Sequence, residues 1–275
     1  MRTSQKGIFE RALFNKISSS TRRIPSESRR EAWLADTILL LVSQLDDKAI
    51  LSGGSAVRNI TRVMRTTYDI DFDTEIGSLG VLRKMLRDTN NRLGINRESL
   101  GAIYENPERN NPKTFYGERK MIHMLRTTDV GSLKFHIMHV NDLPEMFDKP
   151  PHLELVSIEK TDYKVPNGSA HTLFYRKALR ANKEKRVEDF LDLYHLLVGL
   201  GSTKRSAMVA YVKSKDSKAA VNGLGVLSSD PESFVPELKS RLAYVDTNLS
   251  IANMKAKAYT ISQELEKIAA EIALD

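Results

Sequence analysis

The chain of 275 residues contains no cysteine. That excludes disulfides, thiol nucleophiles, iron–sulfur clusters and cysteine-held zinc. Histidine is scarce, with six in all. His136 and His139 are spaced so that an extended strand sends them to opposite faces, which argues against a histidine metal pair. Long apolar runs are also missing. Near the start the longest is Ile38 to Val42, too short to span a bilayer or to form the core of a secretory leader. The first thirty residues are rich in Arg and Ser, as in a transit peptide, but Glu10 and Glu27 oppose that reading. A cytoplasmic protein of bacterial type, without a membrane partner, is the expectation. Internal repeats and low-complexity tracts are absent.

What is present is ordinary for a globular protein: 41% hydrophobic and 28% charged residues, in a chain long enough for one large core or two modest ones. The net charge is +7 and the isoelectric point about 9.4. Such an excess suits a polyanionic partner, nucleic acid or nucleotide. It is spread over both halves, with a cluster at Arg22, Arg23, Arg29 and Arg30 that serves equally as a solvated helix start.

Apolar periodicity predicts a helix over 26–46, a short buried strand over 48–52, a helix over 55–64, a strand over 68–74 and a helix over 81–93. Residues 101–117, rich in Asn, Pro and Gly, read as a loop. A hairpin follows over 119–126 and 133–140, turning near Asp129 and Gly131, with one or two strands over 153–165. From Ser169 the helical period dominates, with an interruption over 223–236 and a final amphipathic helix over 259–274. The expected organisation is therefore an α/β (α+β) domain with a mixed sheet over residues 1–165, then a helical domain over 166–275. The boundary falls at the turn-forming Pro166-Asn167-Gly168.

The stretch Asp69-Ile70-Asp71-Phe72-Asp73 carries three carboxylates at alternate positions. In a strand these share a face, with Asp69 and Asp71 about 6–7 Å apart at the backbone. That spacing lets both reach one or two Mg²⁺ ions, hard cations that prefer oxygen ligands. Gly53-Gly54-Ser55 stands shortly before, where a strand gives way to a helix. Glycine permits close backbone approach, and a helix N-terminus favours a phosphate. A phosphate cradle beside a metal-holding strand is suited to a nucleoside triphosphate. A calcium loop of the EF-hand type fails, because Thr74 and Gly80 stand where glycine and glutamate are needed. A Walker loop fails for want of Gly-Lys-Ser/Thr. Two readings stay open: the metal-binding Asp-x-Asp of a sugar-nucleotide glycosyltransferase, and an exposed edge strand whose charges discourage pairing.

Gly54-Ser55, thirteen intervening residues and Asp69-Ile70-Asp71-Phe72 resemble the signature of the DNA polymerase β-like nucleotidyltransferases. The doubled glycine and the run Arg65-Thr66-Thr67-Tyr68-Asp69 resemble the AbiEii/MenA group, toxin components of toxin–antitoxin and abortive-infection systems. Lys177-Ala178-Leu179, followed by Asp189-Phe190-Leu191-Asp192-Leu193, is similar to a second motif of that group. The two motifs span residues 51–195. The pattern departs in two places: Glu188 stands where the group has arginine, and His136 where the superfamily commonly has a third carboxylate. Asp73 or Asp129 is the candidate substitute.

The resemblance implies Mg²⁺-dependent transfer of a nucleoside monophosphate from an NTP to an acceptor hydroxyl, the 3′ end of tRNA, by a toxin with a cognate antitoxin. A protein hydroxyl is the rival acceptor. Asp69 and Asp71 would hold the metal, and Gly53, Gly54 and Ser55 the phosphates. Lys177 would lie near the triphosphate, oriented with its neighbours by Asp189 or Asp192. His136 would stand near the acceptor, and Arg65 and Lys134 are further nucleotide-binding candidates. Each residue also has a plainer role: Lys177 in a solvated basic run, Asp189 and Asp192 in local ion pairs, Ser55 as a helix cap. Arg58, Arg62 and Arg65, at helical spacing, form a stripe for nucleic acid or for solvent. An inactive fold retained to bind RNA or a partner is the remaining alternative.

Overall fold

Alternation of side chains and turn chemistry build the first part of the chain. The computed structural model describes residues 49–61, 69–74, 84, 100–105, 120–127, 131–139, 152–158, 161–199, 201–242 and 250–274. The helices expected over 26–46 and 81–93 lie outside these residues, Lys84 excepted. Strand β1 is Ala49–Ser52 and leads directly into helix α1, Gly53–Thr61. Strands β2 (Asp69–Thr74), β3 (Leu100–Glu105), β4 (Lys120–Thr127), β5 (Gly131–His139), β6 (His152–Ile158) and β7 (Thr161–Asn167) follow.

Among the described residues these form a seven-stranded sheet in the order β3-β4-β5-β2-β1-β7-β6. It is mixed, as expected. β2 runs antiparallel to β1 and parallel to β5, and β1 runs parallel to β7. The β4–β5 and β6–β7 pairs are antiparallel hairpins. β2 lies between β5 and β1, with both sides hydrogen bonded, so the reading of its aspartates as edge-strand charges is overturned.

Two expectations of the sheet region need correction. Residues 100–105 are not part of a loop but form β3, antiparallel to β4 with a register irregularity between Leu100 and Ile103. Ile103 and Tyr104 suit a pleated surface, and the backbone ladder of β4 supplies what the surrounding turn-rich composition hides. The helix after β1 begins at Gly53 rather than Ser55. Gly53 has φ +63°, a left-handed value that glycine adopts without a Cβ penalty, and so turns the chain at once.

The second part is helical: α2 (Ala170–Ala181), α3 (Val187–Gly199), α4 (Gly201–Lys213), α5 (Ser217–Ser228), a 3-10 turn (Pro231–Phe234), α6 (Val235–Leu242) and α7 (Ile251–Ala273). Ser169 caps α2 by accepting from the Thr172 amide, which stops the preceding extended chain at Gly168. α7 starts eight residues ahead of the expected Tyr259, with Ser250 as its cap. Met254 and Ala258 extend the buried stripe of Ile261, Leu265 and Ile268 at helical spacing. Each large aliphatic side chain of that stripe contributes roughly 2 kcal/mol at most. Phe190 of α3 stacks on Phe234, ring centroids 4.4 Å apart.

Gly223 does not interrupt the helical pattern but lies inside α5. A Cβ there would fall 2.9 Å from the carbonyl carbon of Ala178 and closer still to its oxygen. The glycine permits α5 to approach the backbone of α2, a tertiary requirement that reads locally as a helix breaker. The real interruption is the short Ser229–Asp230 link and the 3-10 turn, where Asp230 accepts from the Ser233 amide.

The chain divides into two compact units. One comprises residues 1–55 and 67–168, the other residues 56–66 and 169–275. No described helix is long and apolar enough to cross a membrane.

Candidate active site

In the sheet unit the carboxylate strand and the glycine bend come together. Ser52, the last residue of β1, is the register partner of Asp71 on β2. The next residue is Gly53, where α1 begins. A Cβ on Gly53 would lie 2.8 Å from both Cβ and Cγ of Asp71, and nearer still to Oδ2. The Asp71 side chain thus occupies the space that glycine leaves open, against the first turn of a helix. Gly54 and Ser55, next in sequence after Gly53, are buried, and Asp71 is half-buried.

On its other side β2 meets β5, with Asp69 opposite Lys134 and Asp71 opposite His136. Two expected site residues are therefore register partners of the two leading aspartates. The side chains of Asp69, Lys134 and His136 lie outside the described part, as do Arg62, Arg65 and Asp129 entirely. Asp73 shares the face of Asp71 by alternation but is buried, 1% exposed. A carboxylate so enclosed is poorly placed to act on an incoming hydroxyl. Among the described residues no three His, Asp or Glu side chains converge as a metal site.

In the helical unit Lys177 of α2 meets α3. Its ammonium lies 3.1 Å from Asp189 Oδ1 and 2.7 Å from Asp192 Oδ2. All three side chains are at most 5% exposed. The twelve-residue separation of Lys177 and Asp189 becomes a contact because a short link folds α3 back on α2. Asp189 and Asp192 stand one helical turn apart and so reach the same cation. Lys185 and Arg186, the nearest preceding cations in sequence, do not hold these aspartates; Lys185 pairs with Asp230 and Arg186 with Glu188.

Sequence reasoning missed Arg180. Its guanidinium donates from Nε to Asp189 Oδ2 at 2.7 Å and from a terminal nitrogen to Oδ1. The signal was available: Arg180 follows Lys177 by one turn on the same face of α2. Burial alone would raise the Asp189 carboxyl, but Lys177 and then Arg180 outweigh it and hold the group at about 2. Glu188, which departs from the motif, bonds Arg241 of α6.

No protein-family model matches the sequence, and no curated protein matches it either. Distant likenesses occur among solved structures. MenT4, a nucleotidyltransferase toxin from Mycobacterium tuberculosis, matches at 13% identity over 95% of this chain and 93% of its own, with TM-score 0.49. JHP933 from Helicobacter pylori matches at 15% identity over 85% and 91%, with TM-score 0.46. An antigenic nucleotidyltransferase-like protein from Paracoccidioides brasiliensis matches at 14% identity over 68% and 91%, with TM-score 0.38. At these identities and TM-scores the likeness carries no argument about this chain, and no residue's role is taken from it.

Proposed function

We propose that the chain is a cytoplasmic Mg²⁺-dependent nucleotidyltransferase that moves a nucleoside monophosphate from an NTP to a hydroxyl of RNA, the 3′ end of tRNA, as the toxin of a toxin–antitoxin pair. The observation that carries this reading is the apposition of Asp71 to the Gly53 bend. A carboxylate beside a glycine turn and a helix N-terminus supports binding of a phosphate and a cation together. The motif resemblance supplies the reaction class, the acceptor and the toxin role.

Asp69 and Asp71, as paired hard oxygen donors, would hold Mg²⁺. The ion supplies charge neutralisation on phosphate oxygens and lowers the pKa of a bound hydroxyl. The α1 amides at Gly54 and Ser55 would orient the outer phosphates, which keeps the α-phosphorus in line with the acceptor. The acceptor oxygen then forms a bond to that phosphorus, the bond to the bridging oxygen breaks, and pyrophosphate leaves. His136, opposite Asp71 on β5, is the nearest candidate in register to take the hydroxyl proton. The motif resemblance also assigns Lys177 to nucleotide binding; in the helical unit it is held by Asp189 and Asp192.

A second reading is an inactive nucleotidyltransferase fold that binds RNA or a partner. It is favoured by one observation: the β5 partner of Asp71 is histidine rather than a third carboxylate. Incubation with total RNA, Mg²⁺ and, in turn, each α-labelled NTP and labelled UDP-glucose separates these readings. Labelled RNA from the wild type and none from Asp71→Asn supports the enzyme. RNA binding without label in either supports the module. Label from UDP-glucose instead identifies a glycosyltransferase.

A further inference from the structure

The helical unit carries an aromatic group that the proposed site does not use. His171 and Tyr175 stand one turn apart on α2, and Tyr211 lies near the end of α4. The His171 and Tyr211 rings are 5.9 Å apart and tilted by 30°, and Tyr175 meets Tyr211 edge-on at 6.3 Å. The hydroxyls are anchored. Thr172 donates to the Tyr211 oxygen at 3.3 Å, and the Asp216 amide donates to the Tyr175 oxygen at 3.1 Å. The rings themselves are only half-buried.

Directly after Tyr211 the chain reads Val212-Lys213-Ser214-Lys215-Asp216-Ser217-Lys218. The three lysines are exposed. Lys213 bonds the Leu274 carbonyl, and Lys215 holds its ammonium 5.6 Å above the Tyr211 ring. The one acidic group in the segment, Asp216, caps α5 by accepting from the Ala219 amide at 3.0 Å. It is committed to the helix end rather than to the lysines.

We propose that this surface binds single-stranded RNA, with a base on the His171–Tyr211 rings and the backbone phosphates on Lys213, Lys215 and Lys218. Lysines alone suit any polyanion, an acidic protein segment included; the half-buried rings among them select a partner with aromatic bases. The Lys215 contact does not close the ring to a base. An exposed lysine–ring contact shifts an equilibrium by a factor of roughly two to five, against roughly five to 150 for stacking a base on an aromatic side chain. The cation also gains a phosphate when it moves aside. The inference deepens the reading of the chain as an enzyme acting on RNA, because it names where the RNA is held.

The test is binding of the full chain to a fluorescent single-stranded RNA of about twelve nucleotides, a length that spans a typical single-strand site. NTP and Mg²⁺ are omitted, and anisotropy is followed over a series of salt concentrations. Tyr211→Ala should weaken binding about tenfold or more, while Tyr211→Phe, which keeps the ring, should stay near wild type. The triple change Lys213→Gln, Lys215→Gln and Lys218→Gln alters exposed residues and should leave the melting temperature nearly unchanged. It should reduce the slope of log affinity against log salt by about 2, at ~0.7 per phosphate contact on a single strand. Absence of RNA binding by the wild type, affinity and slope unchanged in the variants, or preference for polyglutamate over RNA each overturns the proposal. The transferase reading fails by a different result: no RNA label from any NTP while binding and its dependence on Tyr211 persist.

Discussion

The backbone of Gly53 lies directly against the side chain of Asp71, so closely that a methyl group on Gly53 would sit 2.8 Å from the aspartate's Cβ and Cγ. Two residues eighteen positions apart are thereby fixed as one feature, because β1 and β2 pair with Ser52 opposite Asp71. Gly53→Ala meets two penalties: a left-handed φ of +63°, costing about 1–2 kcal/mol for a residue with a Cβ, and displacement of Asp71. The expected outcome is a lowered melting temperature and at least a tenfold loss of nucleotidyl transfer. Wild-type transfer by this variant would show that the apposition has no part in the reaction.

Asp71→Asn keeps the shape of the side chain and removes its charge. It should abolish detectable label transfer, a loss of about 100-fold or more for a lost metal-holding or charge-stabilising group, while circular dichroism stays unchanged. Chelation of divalent ions should silence the wild type to the same degree, and added Mg²⁺ should restore it. Activity in excess chelator would remove the metal from the scheme.

Lys177 is enclosed with two carboxylates at 3.1 and 2.7 Å. Lys177→Met leaves Asp189 with Arg180 alone and strips Asp192 of this cation. Breaking a buried pair from one side costs about 3–5 kcal/mol, read as a lower urea midpoint. Lys177→Met combined with Asp192→Leu should recover much of that stability without restoring transfer. That combination separates the part Lys177 plays in the fold from any part it plays in the reaction.

The Asp189 carboxyl titrates at about 2 in the folded chain against an ordinary value of 3.8. A depressed folded value stabilises the protein at pH above the unfolded value. That stability is lost as pH falls through 3.8 toward 2, because the unfolded chain takes up the proton first. The amount at stake is on the order of 2 kcal/mol. Unfolding midpoints should fall steeply over that acidic window in the wild type. The steepness should lessen in Asp189→Asn, which is less stable at neutral pH. An equal slope in both would place the acid sensitivity elsewhere.

Gly223→Ala puts a methyl group against the Ala178 carbonyl. Ala favours a helix over Gly by about 1 kcal/mol, so an exposed site would be stabilised. Here the contact should win and the melting temperature should fall. Gly225→Ala, two residues along with open space around it, should raise it. The opposite signs at neighbouring glycines would register the close approach of α5 to α2.

The sequence by itself determined whatever depends on short-range pattern. Alternation predicted β2, the β4–β5 hairpin and one or two strands over 153–165, where the structure has the β6–β7 hairpin; helical spacing predicted the succession of helices after Ser169; and the glycine pair marked the bend after β1. These features arise from side-chain direction and backbone sterics within a few residues. Only the tertiary structure decided that 100–105 pairs as a strand, that β2 runs inside the sheet rather than at its edge, and that Gly223 belongs within a helix. It also decided that Arg180 joins Lys177 on Asp189, and that Asp73 is buried while Asp71 is not. Each of these depends on which distant segment lies alongside, and a pattern of nearest neighbours carries no record of that.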